Sequence, residues 1–554
     1  MRFLNRNLFW VALLALLLYA SAASAFLENK TTLGTRTFHK VPMTDGTLLA
    51  TDVYLPDGEG PFPVVLVRST YSRNQGMNSY IKKGMAAVVQ DIRGMGGSEG
   101  EAHVFYYDGW RPGITDGADT VAWIKAQPWC NGKIGTVGGS ALGMTQMMLA
   151  PATQDVQAQY IQVAPSNFYT DVVYVGGVFR KNLVEGWLAG IFQPQTIKIY
   201  RDVPRYNEFW RYYNAEEAAD RITAPAMFVT GWYDIFTQGS IDGFVSREER
   251  GGEGARGNNY LIISWANHGP DTTKDYVLKE NRRSLKTSQI RDQFLRRYLM
   301  DDVNALEGVP KVHYYVMGAD TPDAPGNEWR TAETWPPVIL QETPFYLGVD
   351  GSLQEAAPDG EAAWREFTFD PNDPYPTWGG ANLLPNLVSG PYDQRKYSET
   401  RDDLLKYASQ PLEKPLEIVG KVKVRLFVSS DAPDTDFTAK LVDIYPEGDD
   451  REILMLDNIR RVKTRNGFEK VAPPLQGQDD IVEIEIDMWS IAWIFEKGHR
   501  IGLHISSSNY PRFDVNPNTG AEQPLPGEEM RVARNRVHSG KVRASALLLP
   551  VPVK

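Results

Sequence analysis

Short apolar runs separated by polar or glycine-rich turns dominate the first part of the chain. Val64-Val65-Leu66-Val67 and Ala86-Ala87-Val88-Val89 are continuous apolar stretches of strand length, as expected of strands buried on both faces of a parallel sheet. Ala118, Val121, Ala122 and Ile124 then recur at helical spacing, and Asn131-Gly132 closes that segment before a strand predicted over residues 133–138 and a helix over 141–150. This alternation predicts an α/β sheet. The sheet pattern resumes with Ala226-Met227-Phe228-Val229 and Tyr260-Leu261-Ile262-Ile263, followed by an amphipathic helix over 288–300 and a last strand over 312–317. Between the two halves, residues 166–220 are dense in Tyr, Trp, Phe and Arg and lose the strand pattern; they read as an inserted helical cap, with a helix over 205–219. Past residue 337 the period changes again. Val422, Val424, Leu426 and Val428 alternate with Lys421, Lys423 and Arg425, and residues 481–487 do the same, which marks half-buried antiparallel strands of a C-terminal sandwich or jelly roll.

The periodicity therefore divides the chain into 1–25, 26–165, 166–220, 221–337 and 338–554, consistent with the several domains that 554 residues lead one to expect. Hydrophobic residues at 42% are enough for large cores and exclude a disordered chain. A net charge of −11 offers no basic field for a nucleic-acid backbone. The first 25 residues have the make-up of an export signal: Arg2 and Arg6, an apolar stretch from Leu8 to Ala20, then Ala23-Ser24-Ala25. That stretch is shorter than the ~20 residues a bilayer span needs. The expectation is a chain beginning near Phe26 after cleavage, periplasmic or extracellular, without a stable membrane anchor. Cys130 is the single cysteine, so no internal disulfide can form. It reads as a buried, inert thiol in preference to a nucleophile.

Candidate chemistry centres on Gly138-Gly139-Ser140-Ala141-Leu142-Gly143, between a predicted strand and a predicted helix. Strand, sharp turn and helix would lift the Ser140 hydroxyl to the top of the sheet as a nucleophile elbow; an ordinary strand-to-helix turn is the alternative. A serine nucleophile needs a base and an acid that orients it, in the order Ser, Asp or Glu, His. Asp234 follows the strand predicted at 226–229, and His268 lies in the loop after the strand at 260–263, so both fall at a carboxyl edge of the sheet. His313 and His504 fall on predicted strands, and His39, His103, His499 and His538 lie outside comparable loops. No histidine or cysteine pair shows metal-ligand spacing. The glycine-rich run Gly94 to Gly100 contains Glu99 and leads into Glu101, which would repel phosphate.

Four motifs, spread over nearly the whole chain, carry a resemblance: Gly-Gly-Ser-Ala-Leu-Gly at 138–143, Arg-Gly-Met-Gly-Gly-Ser-Glu-Gly at 93–100, Gly-Trp-Tyr-Asp at 231–234 and Ser-Asn-Tyr-Pro-Arg-Phe-Asp at 508–514. In this order the chain resembles the cocaine esterase and X-Pro dipeptidyl-peptidase (CocE/NonD) type of α/β-hydrolase. The resemblance implies an α/β-hydrolase core with an inserted helical cap, followed by an all-β jelly roll of galactose-binding type. It assigns Ser140 as nucleophile, His268 as general base and Asp234 as its orienting acid. The fold supplies one oxyanion donor from the backbone amide of Ala141. The resemblance points to the Tyr71 hydroxyl as the second, with a merely packing aromatic as the alternative. Two departures matter. Ala141 stands where relatives often carry tyrosine, which alters the pocket but leaves the amide. Ile235, Phe236 and Thr237 replace the acidic residues that related α-amino acid ester hydrolases use to hold a substrate ammonium, so a free α-amino group is not expected to be required.

The expected function is hydrolysis of a small-molecule ester or amide through a covalent acyl-enzyme, with no cofactor and no nucleic-acid partner. An X-Pro dipeptidyl-peptidase or a β-lactam-type acylase keeps the triad and changes the substrate. A catalytically inactive carbohydrate- or partner-binding protein is the reading from another class. Phe168, Tyr169, Phe179, Trp187, Phe192 and Trp210 could line an apolar pocket or pack the cap.

Overall fold

The computed structural model describes residues 29–31, 34–269, 273–521, 527 and 529–553. The export signal expected over 1–25 lies outside the described residues. The described residues form two compact units, those within 1–160 together with 294–305, and those within 161–293 together with 306–554.

In the first unit Phe62–Ser69 lies between Ala86–Asp91 and Cys130–Gly139, parallel to both, with Leu66 opposite Val88 on one side and Thr136 on the other. Leu48–Pro56 pairs antiparallel with Ala86–Asp91 and with Gly34–Pro42, whose first residues pair in turn with Asn29–Thr31. Val64, Val65, Val88, Val89 and Ile134 have no exposed surface, as their continuous apolar runs require. Helices Asp116–Lys125 and Ala141–Leu149 follow as predicted, the latter with only Leu142 not fully buried. Cys130 is half-buried at the first position of its strand, more open than expected, and burial raises its thiol pKa.

The glycine-rich loop at 93–100 folds around carboxylates. Gly97 N donates to Asp91 Oδ2 at 2.8 Å, and Arg93 grips Asp116 with two bonds, at 2.7 and 3.0 Å. A Cβ on Gly96 would sit 2.2 Å from Asp91 Oδ2. The loop's amides are taken up within the protein, that of Gly97 by the Asp91 carboxylate and those of Gly94, Met95, Ser98 and Glu99 by backbone carbonyls.

The second unit carries parallel strands Ala226–Tyr233, Tyr260–Asn267 and Val312–Gly318, with Glu328–Ala332 antiparallel at the edge. The C-terminal strands form two sheets. Leu416–Ser430 pairs with Val482–Phe495 from Leu416 to Val428 and with Ala533–Ser539 and Ala546–Pro552, while Leu405–Ala408, Arg500–Ser506, Asp436–Ile444 and Glu452–Arg461 form a separate four-stranded sheet. Val422, Val424, Leu426 and Val428 are fully buried and the intervening charged residues are not, which is the alternation expected of half-buried strands.

The segment 166–220 differs in detail from expectation. Its main helices are Lys181–Gly190 and Pro194–Asp202, and the predicted helix over 205–219 shrinks to Glu208–Arg211. Asn207 caps that single turn through its side chain, and Asn214 leaves the helix to bridge Asn167. A small hairpin also interrupts it, Tyr174–Val175 against Val178–Phe179, turned by Gly176 and Gly177 at positive φ. Phe168, Tyr169, Phe179 and Trp210 are buried and stack on one another and on Tyr174, Tyr200 and Tyr213, forming the segment's own core. Trp187 is half-buried, and Phe192, at φ 59°, is exposed.

Candidate active site

In the first unit, Ser140 ends the strand Cys130–Gly139 at φ 55° and ψ −126°, a conformation that a non-glycine residue adopts only under strain. Its carbonyl accepts from the amides of Gly143 and Met144 and so starts the helix Ala141–Leu149. The turn is possible because Gly138, at φ 148°, has no Cβ, which would meet Leu142 Cβ at 2.7 Å. Ala141 is wholly buried, and its amide, first in the helix, has no intrahelical acceptor. A buried amide network braces the elbow from behind. Gln146 Nε2 donates to the carbonyls of Gly138 and Leu142, its Oε1 accepts from Thr136, and Gln159 bonds Thr136 and the Gln146 carbonyl.

Tyr71 leaves the neighbouring parallel strand at the same edge. The amides of Tyr71 and Ser72 both donate to Ser69 Oγ, at 3.1 and 3.2 Å, which holds the loop in a tight turn. Thr145, on the helix after Ser140, donates to the Arg68 carbonyl and ties that helix to the base of the Tyr71 loop. Arg68 itself is buried and paired with Asp108 and Gln90. Tyr71 is 48% exposed, so its ring is not committed to core packing.

In the second unit, Asp234 and His268 meet. Asp234 is fully buried; its Oδ2 lies 2.7 Å from His268 Nδ1, and its Oδ1 accepts from the Phe236 amide at 2.7 Å. A carboxylate at Nδ1 fixes the tautomer with the proton on Nδ1, so Nε2 is the basic nitrogen. The Phe236 ring meets the imidazole edge to face, with centroids 5.3 Å apart.

Each residue of Gly231-Trp232-Tyr233-Asp234 has a distinct role. A Cβ on Gly231 would fall 2.3 Å from the Ala266 carbonyl oxygen, so the glycine lets the two strands close just before the loops that carry Asp234 and His268. Trp232 Nε1 donates to Tyr315 O, and Tyr233 OH to Leu454 O. Thr237 Oγ1 bonds the carbonyls of Gly231 and Asp234, closing the turn that carries the carboxylate.

The late motif is structural in its contacts. Asn509 and Arg512 both bind the buried Asp457, and Asp514 takes two hydrogen bonds from Arg201 of the segment 166–220. Among the described residues no group of three or more His, Cys, Asp or Glu side chains could hold a metal ion.

Sequence reasoning missed Gln146, Gln159, Thr237 and Arg180. Arg180 is a buried arginine whose Nη1 donates to the carbonyl of Ile235, next to Asp234. Glutamine and threonine beside an elbow carry no distinctive spacing, and a single arginine in Phe179-Arg180-Lys181 looks like any surface cation.

A strained serine between a parallel strand and a helix, together with a carboxylate-held histidine after later parallel strands, belongs to the α/β-hydrolase class. Comparison with known proteins gives the family. Residues 45–198 and 191–270 match the X-Pro dipeptidyl-peptidase (S15 family), and residues 304–548 match the X-Pro dipeptidyl-peptidase C-terminal non-catalytic domain. The chain is 33% identical to the cocaine esterase of Rhodococcus sp. (strain MB1 Bresler), over 92% of its own length and 97% of that protein's. In fold it is similar to an aminopeptidase from a marine sediment Thaumarchaeota archaeon, with a TM-score of 0.79 at 22% identity over 95% and 98% of the two chains. It is likewise similar to an α-amino acid ester hydrolase, with a TM-score of 0.76 at 23% identity over 93% and 96%. The chain belongs to the cocaine esterase and X-Pro dipeptidyl-peptidase family of α/β-hydrolases and is a serine hydrolase.

Proposed function

We propose that the protein hydrolyses a small-molecule ester or amide through a Ser140-Asp234-His268 triad. His268 Nε2 takes the Ser140 proton as Oγ attacks the carbonyl carbon, and Asp234 orients the imidazole and stabilises the imidazolium. The imidazolium then protonates the leaving alcohol or amine, giving a Ser140 acyl-enzyme. Water, deprotonated by His268, releases the acid in the second step. The Ala141 amide and the Tyr71 hydroxyl stabilise the oxyanion. The observation that carries this reading is the buried Asp234 carboxylate 2.7 Å from His268 Nδ1, with the strained Ser140 elbow supporting it.

The same reading divides the chain into a hydrolase body of 26–165 and 221–337, a cap of 166–220 and a sandwich of 338–554, with export of the chain after cleavage near Ala25. Among esters, X-Pro peptides and β-lactam side-chain amides, the ester is favoured, because Asp234 is followed by Ile235, Phe236 and Thr237 and not by carboxylates for a substrate ammonium.

A fluorophosphonate probe should label the wild-type protein, and Ser140→Ala should abolish labelling. Equal labelling of both, or none of the wild type, would refute the assignment. Aryl esters, an X-Pro anilide and a cephalosporin amide offered to the same sample rank the substrate classes.

A further inference from the structure

Arg180 immediately precedes the helix Lys181–Gly190 and is 1% exposed. A guanidinium brings five N–H donors and a permanent charge into the interior, which is unfavourable unless both are compensated. Its hydrogen bonds go to backbone carbonyls: Nη1 donates to Ile235 O at 2.8 Å and to Asp171 O at 3.2 Å, and Nη2 donates to Ala381 O at 3.0 Å. The Trp489 ring lies 5.8 Å from the guanidinium carbon. Burial pulls its pKa well below the ordinary arginine value and Arg512 adds to this, while Asp457, Asp234 and Asp171 act through space to favour its charge.

The three carbonyls come from distant stretches of chain: the segment 166–220, the loop after strand Ala226–Tyr233, and the C-terminal region. Ile235 directly follows Asp234, and the next amide, that of Phe236, binds Asp234 Oδ1. Arg180 therefore holds from its carbonyl side the same turn whose amide side holds the carboxylate. A planar fork suits this task better than a point charge, because two nitrogens in fixed relation reach three acceptors.

We infer that Arg180 is a positioning residue for the proposed catalytic aspartate: by fixing the Ile235 carbonyl it sets the turn that aims Asp234 at His268 Nδ1. The inference rests on the triad reading above.

A double-mutant cycle on aryl ester hydrolysis tests it. Arg180→Met should lower kcat by about tenfold or more, with KM changed by less than about threefold; in an Asp234→Ala background the same change should alter kcat by less than about twofold, since its route is already gone. Arg180→Lys, which keeps the charge and loses the fork, should fall between Met and wild type. An equal loss in both backgrounds, or a rise in KM with kcat unchanged, overturns the inference. Should Arg180→Met fail to fold, Arg180→Lys carries the cycle; if neither folds, Arg180 serves the fold alone and the inference also falls. If Asp234→Ala alone leaves kcat unchanged, it is the triad assignment that fails. An Asp234-dependent activity with additive Arg180 effects removes only the positioning role.

Discussion

The oxyanion role proposed for Tyr71 requires a hydroxyl held on a fixed backbone, and the loop that carries it is braced by one side chain. Ser69 Oγ takes two consecutive amides and leaves the tyrosine ring 48% exposed beyond a fixed backbone. Tyr71→Phe should lower kcat by roughly 100-fold or more while changing KM little, because the lost bond matters most to the charged intermediate. Steady-state kinetics on an aryl ester checks this, and an unchanged kcat returns Tyr71 to a packing role. What was legible at this scale follows the range of each signal. Ser140 is announced within six residues, because a strand, two glycines and a helix start are local events. The pairing of Asp234 with His268 was within reach because seven histidines leave few loops to consider. Arg180 and Gln146 are defined by what surrounds them in space, and nothing adjacent in the chain marks a cation or an amide as buried.

At the scale of elements, the segment 166–220 shows where local pattern yields to tertiary pairing. The spacing that predicts a helix over 205–219 is outweighed by the Asn207 cap, the Asn167–Asn214 bridge and the Ala215 amide's bond to Ser166 O. The Gly176-Gly177 turn, flanked by Val175 and Val178, was a readable hairpin signal. The end of this segment packs on helix Thr237–Arg250 through a cluster of carboxyls, of which Asp171 is buried and Glu216 and Asp242 are half-buried. Ser166 Oγ lies 2.5 Å from Glu216 Oε1 and donates to Gly239 O, Asp171 sits beside Gly239, and Asp242 accepts from Gln238. Burial, with Asp242 adding to it, pushes the Glu216 pKa up to about 7, while Lys421 and Arg250 oppose the shift. The folded state thus binds this proton more tightly than the unfolded chain. Its contribution to stability is full below the ordinary value near 4.5 and is lost as pH rises through about 7. Thermal midpoints of Glu216→Gln, which cannot ionise, should gain on wild type between pH 5 and pH 8. A constant difference across that range would show that Glu216 is ionised in the fold throughout.

At the scale of the whole molecule, the proposed export and the cysteine usage bear on each other. No helix among the described residues is long and apolar enough to cross a membrane, and one cysteine permits no internal disulfide. Stability therefore comes from non-covalent packing and polar pairing, and a chain of this length can supply a large buried core. The intact mass of protein recovered from the periplasm or medium should correspond to a chain starting at Phe26; recovery only from the cytosol with residues 1–25 retained would contradict export. The two-sheet C-terminal architecture was legible because strict alternation survives in Leu416–Ser430, whereas the pairing of Val312–Gly318 with Val482–Phe495 joins residues too far apart for any periodic signal.

The strand that carries Ser140 also begins with the molecule's single thiol. Cys130 and Ser140 are separated by a strand length of about 30 Å at a rise of ~3.3 Å per residue. The native sequence therefore holds one attachment point for a fluorophore at the far end of the strand that leads to the proposed nucleophile. Mildly alkaline buffer would favour its coupling, because burial raises the thiol pKa. A second dye delivered to Ser140 on a phosphonate would complete an energy-transfer pair across the sheet without an engineered residue.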